Sequence, residues 1–406
     1  MSKTVLISGA GIAGPSLAHW LSRYGYRVTV VERAEAVRPG GQAVDFRGRV
    51  HLEVLERMGI LEQVRARQTH GGALDLVDAD GASLVTLPST FAGGDLEILR
   101  GDLAEVLYDL TRDSVEYLFG DSATALQETA DGVRVSFENA PTRTFDLVVG
   151  ADGLHSTVRR LAFGPEQQFV RDSGYHVALF TAPNRLGLDD TAKLYSEPGR
   201  GITVHPTHRG TRAHVMTVFA DEALDVPRRD PARQRQALAE AYAGMGWHTA
   251  ELLADLPDSP WFYLDSISTV RMDRLSRGRV VLLGDAGYGA TCGGMGTGLA
   301  IVCAYVLAGE LAEADGDHGT AFARYEQEIR KLTRACQQVA GGVGPFFAPG
   351  TEAKLRRRTR IYRVLTTGPM LKVLDRLTTR AATSITLRPY PAPSAPAADR
   401  RMPFMS

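Results

Sequence analysis

Cysteine and tryptophan are scarce in this 406-residue chain, with three of each. Cys292, Cys303 and Cys336 lack metal-ligand spacing and leave one thiol over from any pairing. A disulfide framework is therefore not expected, and free thiols in a reducing cytoplasm are. No ordered histidine partner stands near them in sequence, so no cysteine nucleophile is assigned. The ten histidines are scattered without an HExxH or similar pair, and no metal site is expected. Excess charge is missing too: 46 lysines and arginines face 47 acids, which argues against nucleic acid or a strongly charged partner. The longest apolar run, 299–311, is broken by Gly309 and Glu310 and reads as a buried helix, too short for a transmembrane segment. Met1, Ser2 and Lys3 lead straight into a strand, so no signal peptide is expected and the location reads as cytoplasmic. The length suffices for two domains, and no internal repeat stands out.

What is present begins with a short β-branched run, 4–8, which reads as a buried parallel strand. Glycines follow at Gly9, Gly11 and Gly14, with Ile12 and Ala13 between the last two. The first allows a tight turn, the second lets backbone approach a pyrophosphate, and the third lets a helix pack on the sheet. Residues 15–21 continue as a helix whose first N–H groups face the phosphates. A second strand, 27–31, ends at Glu32, 18 residues beyond Gly14. A carboxylate there accepts ribose hydroxyls and repels a 2′-phosphate, which favours FAD or NAD over NADP in this pocket. Arg33 is either a phosphate contact or a solvated side chain.

Residues 37–48 form a polar, glycine-rich loop carrying Gln42, Asp45 and Arg47, before a helix at 50–58 that stops at Gly59. Runs at 73–77 and 83–87 suggest a small sheet. Residues 96–100 precede a helix at 102–111 with Asp102 as N-cap, and 122–129 and 132–137 read as an antiparallel pair. The apolar strand 145–149 returns the chain to the nucleotide-binding sheet. From 170 to 271 the pattern changes to alternating strands at 175–180, 192–195, 202–206 and 213–219, with one helix at 230–244. Strand 279–283 then restores the first unit, helices run from 321 to about 380, and a proline-rich tail is extended or disordered. The fold class is thus α/β. A discontinuous Rossmann-like cofactor domain (1–169 and 273–320) is interrupted by a β-rich substrate domain (170–272), with C-terminal helices at 321–385 and a flexible tail at 386–406.

Two further motifs close apolar strands. Gly150-Ala151-Asp152-Gly153 opens a Gly-Ala-Asp-Gly-x-x-Ser-x-x-Arg pattern in which Ser156 can cap a helix. Gly284-Asp285-Ala286 precedes a glycine-rich stretch, Gly293 to Gly298, at the start of the long apolar helix. In this order, with the first fingerprint, the motifs resemble the FAD-dependent aromatic hydroxylases, the p-hydroxybenzoate-hydroxylase-like monooxygenases. Tetracycline-inactivating monooxygenases are among their kin. The resemblance covers residues 3 to about 315. It implies that Asp152 lies beside the FAD pyrophosphate and helps bind NAD(P)H, and that Asp285 binds flavin ribose or ribityl hydroxyls. It also implies that Arg100 and Arg47 contact the flavin, and that Gly296, Thr297 and Gly298 aim backbone N–H groups at the isoalloxazine. The chain departs from the family at Tyr288, where many relatives carry histidine, and around 290–292, where they carry prolines.

The implied cycle is reduction of FAD by NADH or NADPH, addition of O2 at flavin C4a, and transfer of one oxygen atom from the hydroperoxide to an aromatic or polyketide-like small molecule. With only one full nucleotide fingerprint, the nicotinamide cofactor must dock transiently. Baeyer–Villiger insertion, epoxidation and a non-catalytic redox sensor are alternatives on the same fold. No protein nucleophile, base or metal ligand is assigned. Phe180, His205 and Met216 are substrate candidates, with Tyr195 and Phe219 behind them, and the loop around Gly341, Gly342, Pro345, Phe346 and Phe347 is a candidate to close over the pocket. Oligomeric state is left open.

Overall fold

The computed structural model describes residues 2–69, 71–89, 94–207, 211–222, 224, 226–228, 230–292, 296–367 and 387–391. Its first layer is a six-stranded sheet in the order Ser276–Arg277, Val280–Leu282, Leu147–Gly150, Thr4–Ser8, Arg27–Glu32, Glu116–Phe119. All neighbours pair in parallel except the first two. Parallel strands are buried on both faces, and the alternation shows it. Val5, Ile7, Val28 and Val30 pack under the helices Ala13–Arg23 and Gly296–Glu313. Leu6, Val31 and Val148 turn the other way, onto a three-stranded meander, Ala123–Thr129, Gly132–Phe137 and Arg143–Phe145.

The strand read as 145–149 divides at Asp146. Phe145 belongs to the meander, while Leu147–Gly150 enters the main sheet. Asp146 forces the division by accepting from Thr4 N (2.7 Å) and Thr4 Oγ1 (2.8 Å). The helix read from residue 102 starts at Arg100, so Asp102 lies in its first turn and Leu99 holds the cap position without a side-chain bond. Gly59 ends Gly48–Met58 in a left-handed conformation, as the sequence indicates.

The second layer is a seven-stranded sheet in the order Phe262–Val270, Val170–Pro183, Arg212–Ala220, Arg200–Pro206, Ala192–Glu197, Leu74–Val77, Ser83–Leu87. The last two strands were expected as a small sheet of their own. Instead Leu74–Val77 pairs in parallel with Ala192–Glu197, Leu76 opposite Leu194. One face of this sheet, with Ala178, Phe180, Tyr195, Val215 and Phe219, is sealed by the helices Pro231–Ala241 and Thr249–Ala254. The other, with Val177, Leu179, Met216, Val218 and Ile267, looks back toward the first layer and the short helix Val343–Phe347.

The helix Gly296–Glu313 is longer than the run read from sequence. By length and composition it could cross a membrane, but 78% of it is buried inside the protein. Beyond it, His318–Ala340, Val343–Phe347 and Glu352–Leu365 replace one continuous helical stretch, with a break at Gly341–Gly342 and a cap at Thr351. Residues 368–386 and most of the tail lie outside the described residues. The stretch 387–391 is docked on the long helix: Arg388 pairs with Glu310 (3.1 Å) and Glu313 (2.8 Å), and Tyr390 donates to Glu310 (2.8 Å). Glu310 is fully buried in a largely apolar helix, so a charge there requires these partners.

Gly14 carries the tightest packing at the cofactor end, since a methyl there would sit 1.9 Å from the carbonyl oxygen of Gly9. Gly14→Ala is expected to destabilise the protein by about 3 kcal/mol through overpacking. Gly350→Ala, with no atom within 4 Å of the new carbon, should shift stability by less than about 0.5 kcal/mol. Thermal melts of both variants check the contrast.

Candidate cofactor and substrate cleft

The three glycine-bearing turns meet at one place. A carbon added at Gly9 (φ 110°) would lie 2.4 Å from Ala151 O, and one at Gly284 would lie 3.1 Å from Ala13 Cβ. Buried Arg159 joins the second turn to the third by donating to Leu154 O (2.6 Å) and Ala286 O (2.9 Å). Ala13–Arg23 begins with no side-chain cap and no acid in its first turn, so its N-terminal amides are open to an anion. Glu32 stands beside that opening. Its two oxygens accept from Ala10 N and Ala34 N, both at 2.9 Å, and Arg38 approaches to 3.8 Å. Arg33 is exposed.

Asp152 turns its carboxylate into the protein. It accepts from Thr157 N (2.8 Å), Val158 N (3.1 Å) and the Ser156 hydroxyl, while Ser8 Oγ lies at 3.4 Å. Burial raises its pKa against these bonds. Ser156 caps the helix Thr157–Ala162 by accepting from Arg159 N (3.0 Å), as expected.

Arg100 is exposed, and its guanidinium lies 3.5 Å from where a carbon on Gly11 would be. Asp285 is exposed as well, yet surrounding protein raises its carboxyl above the usual range while Arg100 pulls it down. Exposure with desolvation places Asp285 deep in an open cleft. It faces the start of Gly296–Glu313, with a carbon on Gly296 3.8 Å from Asp285 Oδ1. Thr297 is half-buried there; Gly293 and Gly294 lie outside the described residues. Arg47 pairs with Asp45, and its backbone N–H donates to His51 Nδ1 (3.1 Å). His51 is held neutral by burial, its pKa lowered to about 4, and a carbon on Gly298 would come 2.5 Å from the same ring nitrogen. His51 thus braces the Arg47 loop against the start of the long helix, a role its isolated position in the sequence did not suggest.

The far wall is the other face of the seven-stranded sheet, partly covered by the helix Val343–Phe347. The loop Gly289–Thr291 bonds directly to its edge strand, through Val270 N to Gly289 O (2.8 Å) and Thr291 N to Ser268 O (3.0 Å). His205 and Met216 lie on this face, and His205 stands opposite His214 across two strands. Burial lowers the pKa of both, His205 to about 4. Phe180 is a correction. It is fully buried on the opposite face under the two covering helices, where Phe219 and Tyr195 are buried too. Period-two alternation fixes which residues share a face but not which face is covered. Tyr263, 37% exposed, is the aromatic that sequence reasoning missed. It pairs across strands with Leu179 on the cleft side, within reach of the charge on Arg100.

A parallel sheet with helix amides open to phosphate, facing a second sheet across an exposed carboxylate and arginine, is the arrangement of a dinucleotide-binding protein. The FAD binding domain family matches residues 2–340, and the chain belongs to this family of FAD-dependent, aromatic-hydroxylase-like monooxygenases. An uncharacterized protein of Mycobacterium tuberculosis is 45% identical over 87% of this chain and 97% of its own length. A flavin-dependent monooxygenase from an unidentified prokaryote is 37% identical, covering 85% of this chain and 90% of the relative. Among solved structures, tetracycline destructase Tet(55) is 33% identical with a TM-score of 0.81, over 96% of this chain and 99% of that one. The protein is a flavin-dependent oxidoreductase that uses FAD, O2 and a small-molecule substrate, with NAD(P)H the reductant typical of the family.

Arg159→Met removes the donors that tie Ala286 to Leu154. A loss of about 3 kcal/mol is expected, because buried carbonyls and Glu166 lose a charged partner. A lowered melting temperature together with weaker flavin retention on gel filtration is the outcome to look for.

Proposed function

We propose that this flavoprotein hydroxylates an aromatic or polyketide-like small molecule, using NADH or NADPH and O2. The observation that carries the reading is the cleft itself. One wall presents Gly11, Arg100, Asp285 and the start of Gly296–Glu313, the other Leu179, His205, His214, Met216 and Tyr263. The residues present suit FAD: an uncapped helix start for the pyrophosphate, and an exposed carboxylate deep in the cleft for hydroxyls.

In this reading Gly9, Gly11, Ile12, Ala13 and Gly14 hold the pyrophosphate, and Glu32 takes the adenosine ribose with Arg33 outside it. Arg47 and Arg100 flank the flavin, and Asp285 accepts from ribityl or ribose hydroxyls. Asp152 holds the helix and turn beside the pyrophosphate in place, and helps seat the transient nicotinamide cofactor. FAD, when bound, supplies the chemistry: it accepts a hydride from NAD(P)H and activates O2. The protein's own work is placement and charge. The N-terminal end of Gly296–Glu313, at Gly296, Thr297 and Gly298, favours negative charge beside it by on the order of 1 kcal/mol.

Across the cleft, His205 and His214 stay neutral at ordinary pH and offer hydrogen bonds without a net charge, while Leu179 and Met216 supply apolar contact. That combination suits a phenolic or enolic ring system better than a carboxylate. Similarity to a tetracycline destructase over nearly the whole chain supports a multi-ring substrate. The unpaired cysteines support a reducing, cytoplasmic setting.

Asp285→Ala is expected to lower FAD affinity about tenfold or more, the cost of losing a charged acceptor, as read by equilibrium dialysis. Full flavin occupancy in that variant would overturn the assignment. For the activity, a panel of phenolic and polyketide compounds is added to the yellow holoprotein. Accelerated NAD(P)H oxidation with matching O2 uptake is the expected result, and a panel that leaves both rates unchanged sinks the proposal.

A further inference from the structure

His155, two residues beyond Gly153, lies between two carboxylates. Its Nδ1 is 3.0 Å from Glu166 Oε2 and its Nε2 is 2.9 Å from Asp265 Oδ2. An ionised carboxylate only accepts hydrogen bonds, so both ring nitrogens must donate and the ring must be an imidazolium. The surrounding charges agree. Arg159 (3.5 Å) and Arg228 (2.9 Å) reach Glu166, and the charge of Asp152 acts on Arg159. Asp265 also accepts from Ser266 N (2.8 Å) and from the Tyr263 hydroxyl (3.2 Å). His176, on the neighbouring strand, is held low by burial despite the attraction of Asp172, Asp221 and Asp265. With His155 protonated, three cations (Arg159, Arg228, His155) face three acids (Asp152, Glu166, Asp265).

The two carboxylates belong to different layers. Glu166 follows the helix Thr157–Ala162 of the cofactor layer, whereas Asp265 sits on Phe262–Val270, the edge strand of the cleft-facing sheet. Two residues before Asp265, and on the same face of that strand, stands the partly exposed Tyr263. The geometry points to His155 as a positioning residue of the monooxygenase: a doubly protonated clasp that joins the two layers and, through Asp265, aims the Tyr263 hydroxyl into the cleft as a contact for an oxygen function on the substrate. The substrate contact rests on the proposed hydroxylase reading; the clasp does not.

The sign of the pH dependence follows from the contacts. Asp265 and Glu166 raise the His155 pKa above its ordinary value of 6.5, with burial opposing them. The clasp is therefore complete below about 6.5 and is lost as pH rises through the raised value. Loss of the proton leaves one ring N–H for two carboxylates, so one of the two bonds breaks and the tie that fixes Asp265, and with it Tyr263, is released.

Three measurements on the full-length FAD-loaded protein test this. In histidine-labelled protein, the ring resonance missing from His155→Gln should titrate above the ordinary 6.5 and move about one unit or more lower in Asp265→Asn. A ring that titrates at or below 6.5 overturns the clasp. The visible circular dichroism of bound FAD should change with the same alkaline midpoint, and the change should vanish in Tyr263→Phe. His155→Arg, permanently charged, should keep the neutral-pH spectrum but lose the transition. A structural role alone would not produce that separation, and a transition that persists unchanged in either variant defeats the link to the cleft. With a substrate found by screening, Tyr263→Phe and His155→Gln should each raise KM about tenfold at nearly constant kcat and flavin content, without adding in the double variant. Additive effects refute the coupling. Absence of any substrate defeats the hydroxylase reading and the substrate contact with it, while the resonance and spectral arms still decide the clasp.

Discussion

Backbone touching backbone at the ends of three parallel strands is the constraint on which this molecule is built. Gly9 lies against the backbone of Ala151 and Gly14 against the carbonyl of Gly9, with separations that leave no room for side chains, and Gly284 packs closely on the methyl of Ala13. Such packing brings loops from distant parts of the chain around one small volume. It holds the N-terminal amides of two helices and the side chains of Arg100 and Asp285 near one another. Arg159 locks the arrangement from within the core, satisfying carbonyls on both sides of the junction. Everything that makes the protein a flavoenzyme depends on that convergence.

The second sheet depends on it in turn. It reaches the cofactor layer through the backbone bonds of Val270 and Thr291 and through Trp261, whose ring lies 3.8 Å from where a carbon on Gly40 would be. The cleft is thus the seam between two layers rather than a hollow in either. Its chemistry is mixed for that reason: charge and open amides on the cofactor side, neutral imidazoles and aliphatic side chains on the other.

Much of the cofactor layer is legible in the chain itself. The strand-turn-helix at the start, the acid at Glu32 and the strands before Asp152 and Asp285 carry local signals: β-branched runs, glycines and an N-cap. The order and spacing of these motifs suffice to point to the family. What is not legible depends on partners far away. Phe180 and Met216 follow the same alternating pattern, and only the covering helices decide that one is core and the other faces the cleft. His155 looks like an ordinary turn residue until Asp265, 110 positions later, arrives beside it. The docking of Arg388 and Tyr390 on Glu310 is hidden in a proline-rich tail whose composition suggests disorder.

The parallel pairing of Leu74–Val77 with Ala192–Glu197 bears on how modular this enzyme can be. The sheet that fronts the cleft borrows two of its strands from a segment lying between parts of the cofactor layer. An excised 170–272 fragment would expose a raw apolar strand edge, the kind that invites aggregation. Grafting a new pocket onto this scaffold therefore means transplanting two discontinuous stretches together, so recombination within the family should favour crossovers that keep 74–87 with the rest of its sheet.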